Sequence, residues 1–343
     1  MYKPNYDPVT LIVDGNHALC RCLYQPNYRE LSNSRGMPTG AIYGFYSVLN
    51  GLLSKLSASS VVVVFDGGHS KRRVNLYEDY KKRDPDEEVK EDTGMTSGQY
   101  FKHQFSWIKT LLDKLGILNV SIEGREGDDL IFQLVHLLTG KKIIVSEDQD
   151  FCSLITSDIS LYRPIKGEII SVENFEQATG CKSPKHFLYQ KVLLGDGSDN
   201  IPQVCKGVGG GTVGPLLAQI EEDELSPAKI LELASRTLSS RCRKLALTPV
   251  TVIERNLDLI DMAREEFSTV ELLEVCDKLR APRECDRAMS TKIMNVLEFS
   301  AQTQGYINDL SAQAVGYPTG DLVDETYIMN RAAGNSTALL GGN

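Results

Sequence analysis

The sequence predicts an α/β fold built on a central, mostly parallel sheet, and three observations predict it. Leu11-Ile-Val-Asp14 and Val61-Val-Val-Val-Phe65 are short apolar runs, each ended by an acid and a glycine (Asp14-Gly15, Asp66-Gly67). Such runs fit strands buried on both faces. Between them Ile42, Phe45, Tyr46, Leu49, Leu52, Leu53 and Leu56 recur at helical spacing over 41–56. Strand, helix, strand is a βαβ unit, and such units build parallel sheets.

The remaining elements follow in order. Ser70 to Arg83 is basic and carries Tyr77 and Tyr80, Asp84 to Asp92 is acidic, and Thr93 to Gln99 is rich in small polar residues. This stretch reads either as a solvated loop or as a segment that orders on a polyanion. Tyr100 to Leu115 resumes helical spacing, with Gly116 as its C-cap. A strand over 117–122 precedes Gly124-Arg-Glu126-Gly-Asp128-Asp129, which opens a helix to Leu138. Lys141 to Val145 is a strand followed by Ser146-Glu-Asp148-Gln-Asp150, then come a short strand near Ser160 to Tyr162 and a hairpin over Pro164 to Val172. From Ser183 the pattern is helical, with amphipathic stretches near 226–238, 248–262 and 268–280. After 305 the chain turns polar and reads as a weakly ordered tail. The expected organisation is therefore an α/β domain over 1–182, a helical region over 183–304 and a tail over 305–343.

Bulk properties exclude several classes. The 343 residues, 41% of them hydrophobic, suffice for one large or two smaller domains. Mean hydropathy is −0.21, and no apolar run approaches the ~20 residues of a membrane helix. Met1 to Thr10 shows no secretory pattern, so a cytoplasmic location with no membrane partner is expected. The eight cysteines form no C-x-x-C pair and histidines are few, which argues against structural zinc and for reduced thiols. A net charge of −9 argues, taken alone, against nucleic-acid binding.

The negative charge is not spread evenly along the chain. Asp14, Asp66, Asp148 and Asp150 lie just past the carboxyl ends of expected parallel strands, the edge at which such sheets bind ligands. Glu126, Asp128 and Asp129 stand at a helix start, and Asp196 and Asp199 in a Gly-rich loop. One such acid is an ordinary cap or turn residue; four groups in order are not. Two carboxylates ~5 Å apart repel by roughly 3 kcal/mol at an effective dielectric of ~20, so nine converging acids demand cations. Oxygen donors without His or Cys select hard ions, Mg2+ or Mn2+, and a pair of these serves phosphodiester hydrolysis. Setting those nine acids aside takes the net charge of −9 to about zero.

Gly207-Val-Gly-Gly-Gly-Thr212 lacks the Gly-Lys-Ser/Thr ending of a P-loop. It reads as a flexible turn or as a helix-hairpin-helix turn whose backbone N–H groups hold a DNA phosphate, with Lys206 beside it. Asp196 to Asp199 lacks the spacing and final Glu of a calcium loop.

Together these motifs resemble the 5′-nuclease (flap endonuclease) family, which includes phage 5′-exonucleases, phage RNase H and the 5′-nuclease domain of bacterial DNA polymerase I. Leu-Ile-Val-Asp14-Gly and Val-Val-Phe-Asp66 resemble its acidic strands, and Arg73 with Tyr80-Lys81 its basic arch. Gly-Arg-Glu126-Gly-Asp128-Asp129 resembles G-x-E-A-D-D, Ser146-Glu-Asp148-Gln-Asp150 resembles S-x-D-x-D, and Gly195-Asp196-Gly-Ser-Asp199-Asn-Ile-Pro resembles G-D-x-x-D-N-I-P. The likeness runs from about 9 to 215 and weakly on to about 300.

The resemblance implies a PIN-like domain, a helical arch over about 67–100 and a helix-three-turn-helix that grips duplex DNA. It implies two Mg2+ (or Mn2+) ions, one set of ligands being Asp14, Asp66, Glu126, Asp128 and Asp129, the other Asp148, Asp150, Asp196 and Asp199. Among these Asp66, Asp128 and Asp148 count as catalytic, together with Lys81 and Arg73 at the scissile phosphate. Tyr80 is expected to stack on a base. Arg72, Lys82, Arg83, Lys206, Gly207, Gly209, Gly211 and Thr212 complete the nucleic-acid contacts, with a K+ ion at the turn. The implied activity is 5′→3′ exonuclease and flap endonuclease in phage or bacterial replication. Branched or nicked DNA with a 5′ flap and RNA:DNA hybrid are the implied substrates, a single-strand binding protein a partner, and the enzyme a monomer. Rival readings are a PIN-type ribonuclease, a catalytically silent DNA-junction binder, and an Mg2+-nucleotide binder.

Departures from the family pattern stand at Gly211, where a lysine is usual, at Gly127, an Ala-to-Gly exchange expected to matter little, and at Tyr80-Lys-Lys-Arg83, which compresses Y-K-x-x-R. No polymerase-sized extension and no sliding-clamp peptide are seen, so a free-standing nuclease is expected.

Overall fold

The computed structural model describes residues 9–82, 96–315 and 323–332. In chain order the first half comprises β1 (Val9–Asp14), α1 (Gly15–Tyr24), α2 (Pro26–Arg29), α3 (Gly40–Lys55), β2 (Ser60–Val64), α4 (Lys71–Leu76), α5 (Ser97–Leu115), β3 (Asn119–Val120), α6 (Gly127–Leu137) and β4 (Lys141–Val145). Then follow β5 (Ile159–Arg163), β6 (Glu168–Ile170), α7 (Phe175–Thr179), α8 (Pro184–Leu194), α9 (Gly210–Leu217), α10 (Pro227–Arg236), α11 (Ser240–Ala246) and α12 (Val250–Ile260). The chain closes with α13 (Thr269–Arg280), α14 (Arg287–Val296), α15 (Ala301–Val315) and α16 (Glu325–Ala332). No helix among the described residues is long and apolar enough to cross a membrane.

The described residues form two compact units, and their division differs from the expected one at 182. Of the described residues, a sheet unit takes 9–68, 96–147, 267–315 and 323–332; a helical unit takes 69–82 and 148–266. The chain thus leaves the sheet unit after β4, because the 3-10 turn Gln149–Leu154 packs on α8.

In the sheet unit the order is β3-β2-β1-β4, all parallel. The register pairs Asp14 with Val64 and Val13 with Val145. Strands of equal reach therefore release their chains at one edge, immediately before Asp66 and Ser146. Leu11, Ile12, Val13 and the whole of 61–65 are buried, as the unbroken β-branched runs predict. Against them lie α3 (Phe45, Tyr46, Leu49) and α5 (Ile108, Leu111, Leu112), each large side chain worth about 1.5–3 kcal/mol on burial. Thr39 gives α3 no side-chain cap; instead Gln104 of α5 accepts from Ala41 N (2.9 Å) and Ile42 N (3.3 Å).

Where a weakly ordered tail is expected, α15 and α16 form. Their apolar residues are sparse, and four of them, Ile307, Leu310, Tyr327 and Ile328, are buried. Ser311 Oγ donates to Leu115 O (2.6 Å) and Tyr327 Oη to Gln133 Oε1 (2.7 Å). The strand expected over 117–122 shrinks to two residues because pairing with β2 stops at Val64.

The helical unit packs α8 to α12 around Val192, Leu193, Val213, Leu216, Ile230, Leu245 and Ile253. Serines at 183, 226 and 239 cap α8, α10 and α11. The short strand expected near 160–162 is β5, and it is itself the first arm of the hairpin: it pairs antiparallel with β6, so the hairpin spans 159–170 and not 164–172. Of the arch segment, α4 is the described helix; Arg83 lies outside the described residues.

One surface contact of the sheet unit bears on the site loops. Arg125, which precedes Glu126, donates from Nε to Glu271 Oε1 (2.6 Å) and from Nη2 to Glu271 Oε2 (3.0 Å), and its guanidinium lies 4.6 Å from the Phe267 ring. Glu271 also caps α13 through Ser268. Burial alone would raise its pKa; the Arg125 and Ser268 hydrogen bonds outweigh it and hold the carboxyl at about 2, below the ordinary 4.5. A depressed carboxyl pKa gives stability that is present above the unfolded value and lost as pH falls. Glu271→Gln is therefore expected to cost about 1 kcal/mol at pH 7 in urea unfolding. That difference from wild type should fade between pH 4.5 and 2; a constant difference would contradict the assignment.

Candidate functional site

The sheet unit places its acids by register and then fixes their orientation by local hydrogen bonds. Asp14 ends β1 and caps α1: its Oδ1 accepts from His17 N (2.9 Å) and its Oδ2 from Ser146 Oγ (2.9 Å). Burial pushes its pKa up to about 6; the His17 N–H and Ser146 oppose the shift and the charge of Asp66 adds to it. The helix α1 was not expected, and the signal for it is Asp14 itself, a strand-ending acid in an N-cap position.

Asp66 has both oxygens engaged. Asn16 Nδ2 donates to Oδ2 (2.6 Å) and Gly127 N to Oδ1 (2.6 Å), while Asp66 N donates back to Asn16 Oδ1 (3.1 Å). The loops behind are zipped: Gly67 N to Arg125 O and Gly124 N to Gly67 O, both 2.9 Å. A Cβ at Gly67 would meet Ile122 O at 1.7 Å, so only glycine permits this approach. Glu126 is the N-cap of α6, and Asp128 and Asp129 occupy its first turn, where the helix dipole favours carboxylates. Glu126 and Asp129 are buried.

The helical unit holds its acids differently, with a lysine. Lys191, in the last turn of α8, pairs with Asp150 and lies 2.8 Å from Asp196 Oδ2. Asp150 N donates to Asp148 Oδ1 (2.8 Å). Burial, reinforced by the charge of Asp148, pushes the Asp150 carboxyl up to about 7 despite Lys191. Asp196 goes the other way: hydrogen bonds from Lys191 and Ser198 overcome its burial and hold it at about 2. The loop 196–201 is closed by Asp196 N to Ile201 O (2.8 Å) and Ile201 N to Asp196 O (2.7 Å).

Among the described residues, no three His, Cys, Asp or Glu side chains close around one point as they would around an ion. The donor set nonetheless fits hard divalent cations. It is all oxygen, Asp14 and Asp150 carry raised pKa values that a cation would relieve, and the buried Asp150 Oδ1 has the ion pair to Lys191 but no aligned hydrogen bond.

The basic segment belongs to the helical unit. Arg72 Nε donates to Glu265 Oε2 (2.9 Å) and Nη2 to Asp258 O (2.7 Å), anchoring α4. Arg73 is buried over the Tyr80 ring, 5.9 Å from its centroid. Tyr80 corrects an expectation: its ring is 4% exposed, packed with Ile201 and Leu259, so it does not offer a face to a base. Its ring completes a small apolar cluster with Ile201 and Leu259, against which Tyr77 and Ile260 also pack. Lys81 sits in left-handed backbone (φ 50°), at a cost of about 1–3 kcal/mol for a non-glycine, with Nζ 3.7 Å from Asp199 Oδ2. Lys82 is exposed beside Asp79 (3.5 Å).

At the Gly-rich turn Gly209 is the N-cap of α9, and Lys206, Gly207, Gly209 and Gly211 are exposed. Gly211 has open space where a Cβ would stand, so the sterics there do not require glycine. Lys244 Nζ, from α11, donates to Lys206 O (2.7 Å), a contact that the spacing in sequence does not reveal. Thr212 N donates to Gly209 O (2.8 Å).

Gly127 also departs from the expectation that its exchange for alanine matters little: a Cβ there would lie 2.8 Å from Asp66 Oδ1. Gly127→Ala is expected to turn that carboxylate and weaken Mn2+ binding, measured by calorimetry, on the order of tenfold. An unchanged affinity would show that Asp66 does not need this seat.

Residues 9–180, half of the chain, match the family "5′-3′ exonuclease, N-terminal resolvase-like domain". The 5′-3′ exonuclease of Buchnera aphidicola subsp. Acyrthosiphon pisum is 32% identical over 200 residues, covering 57% of this chain and 65% of that protein. DNA polymerase I of Streptococcus pneumoniae is 34% identical over 209 residues, covering 57% of this chain and 22% of the polymerase. The match thus spans somewhat under two thirds of the Buchnera protein. The bacteriophage T5 flap endonuclease, solved with DNA and metal ions, superposes with a TM-score of 0.58 at 20% identity, over 84% of this chain and 99% of that one, which is a likeness of fold. The chain belongs to the 5′-3′ exonuclease family through its N-terminal resolvase-like domain.

Proposed function

We propose that this chain is a structure-specific 5′→3′ exonuclease and flap endonuclease that hydrolyses phosphodiester bonds with two Mg2+ or Mn2+ ions. The observation that carries the reading is the parallel register that releases Asp14 and Asp66 at one sheet edge, where Asn16, Ser146 and Gly127 N fix their orientation. The metal ions and DNA in the bacteriophage T5 flap endonuclease support it further.

In this reading Asp14, Asp66, Glu126, Asp128 and Asp129 supply ligands from the sheet unit, and Asp148, Asp150, Asp196 and Asp199 from the helical unit. The ions, when bound, supply Lewis acidity that favours deprotonation of water and neutralises charge on the leaving oxygen. Lys81 brings positive charge to the scissile phosphate, whereas Arg73, buried over the Tyr80 ring, supports the turn that carries the lysine instead of touching the phosphate as the resemblance implied. Lys206, Thr212 and the backbone N–H groups of Gly207, Gly209 and Gly211 hold the phosphates of duplex DNA, with a K+ ion at the turn. Substrates are 5′ flaps, nicked DNA and RNA:DNA hybrid during phage or bacterial replication, alongside a single-strand binding protein, and the enzyme acts as a monomer.

The test is cleavage of a 5′-labelled flap duplex with Mg2+ and with EDTA, beside the unpaired strand and an RNA:DNA hybrid. Mg2+-dependent cuts near the flap junction are expected, and Asp148→Asn should lower the rate by on the order of a hundredfold or more while flap affinity stays within about threefold. Tight flap binding with no cut on any substrate would replace this reading with a junction-binding protein, and cleavage confined to single-stranded RNA would replace it with a ribonuclease.

A further inference from the structure

We propose that Asn200 is a positioning residue that presents Lys81, through a side-chain staple between the 196–201 loop and the turn that carries the lysine. The role of Lys81 itself rests on the nuclease reading above.

Asn200 is exposed, yet its side-chain Nδ2 has two backbone acceptors. Its Nδ2 donates to Asp79 O (3.0 Å) and to Lys82 O (2.8 Å). These two carbonyls flank Lys81 on either side. The backbone of Lys81 is held from the same loop, its N–H donating to Asp199 O (3.1 Å). Tyr80, immediately before the lysine, is buried against Ile201, immediately after the asparagine. The turn is therefore pinned on its inner side by an aromatic ring and on its outer side by an amide.

The chemistry explains why the residue is asparagine. Two acceptors require two N–H groups on one short side chain, and the primary amide supplies both. Asn200 adopts φ 60° and Lys81 φ 50°, conformations that asparagine tolerates and lysine does not favour. Lysine stays in left-handed backbone only where its surroundings over-determine it, and the bonds to Asp79 O, Lys82 O and Asp199 O are what over-determine it here. The staple also ties a lysine to the loop of Asp196 and Asp199. That loop is closed by its own backbone pair, so the ammonium and the carboxylates keep a set spacing. Position within a fraction of an ångström is what a phosphate-contacting cation needs.

Two variants test this. Asn200→Gly keeps the left-handed backbone and removes the amide; Asn200→Asp keeps the shape and replaces the donors by an acceptor. Amide hydrogen exchange is read at Lys81 and Lys82 in the metal-free full chain, and kcat and KM are read on a flap duplex with Mg2+. Exchange at Lys81 should quicken by about tenfold or more in both variants while Tm moves by no more than about 2 °C, since an exposed side chain is removed. Turnover should fall about tenfold with KM within about twofold of wild type, because a displaced cation costs orientation rather than duplex grip. Unchanged exchange at Lys81 in both variants would overturn the staple. Faster exchange with unchanged kcat would overturn its service to Lys81. A wild-type chain that cuts no substrate would defeat the nuclease reading instead, and exchange at Lys81 alone would then decide on the staple.

Discussion

Holding carboxylates side by side at one sheet edge, with Asp14 partly withdrawn from water, is the constraint that the sheet unit is built to withstand. Parallel pairing of β1 with β2 and β4 leaves no alternative exit for Asp14 and Asp66; Asp14 is partly withdrawn from water, and Asp66 stays exposed beside it. The unit answers with neutral donors of fixed direction: Ser146 Oγ and His17 N on Asp14, Asn16 Nδ2 and Gly127 N on Asp66. Each satisfies a lone pair without cancelling charge, so the demand for a cation persists. The helical unit meets the same problem with an ammonium, Lys191 beside Asp150 and Asp196. The two solutions differ in kind, because a hydrogen-bond donor orients a carboxylate and an ammonium also neutralises it.

Glycine serves this arrangement at two places for one reason, close approach. At Gly67 the backbone comes so near Ile122 O that no side chain fits, and at Gly127 an added methyl would crowd the Asp66 carboxylate. Gly211 is the contrasting case, since open space surrounds it and the residue is free to vary. An exchange that looks conservative in sequence at 127 is thus a change at the site, whereas one at 211 bears only on the surface of the α9 turn.

Much of this was legible in the sequence, and the parts that were not share a cause. The β-branched runs at 11–14 and 61–65 announce buried strands, and acids that end them fall at the ligand edge whatever else the chain does. Local pattern also places α3, α5, α10, α12 and α13 within a few residues. What pattern does not carry is the long-range partner. Nothing near Tyr80 says that its ring will be buried by Ile201 and Leu259, and nothing near Asn16 or Asn200 says that their amides will meet Asp66 or the carbonyls around Lys81. The discontinuous sheet unit escapes for the same reason, as do α15 and α16, where a few apolar residues in a polar stretch find a surface formed elsewhere.

Asp14 and Asp150 hold protons more tightly than ordinary aspartates, chiefly because burial disfavours their charge, and a divalent cation competes with those protons. Asp14 titrates near 6 and Asp150 near 7 in the metal-free chain. Because both values lie above that of an unfolded aspartate, the metal-free protein loses stability as pH rises through that range, and cation binding weakens as pH falls through it. Calorimetric titration with Mg2+ in buffers of different ionisation enthalpy measures the linkage directly. The account predicts release of about one proton at pH 6 and almost none at pH 8. Mg2+ binding that is equally tight at both pH values, with no proton released at either, would contradict it.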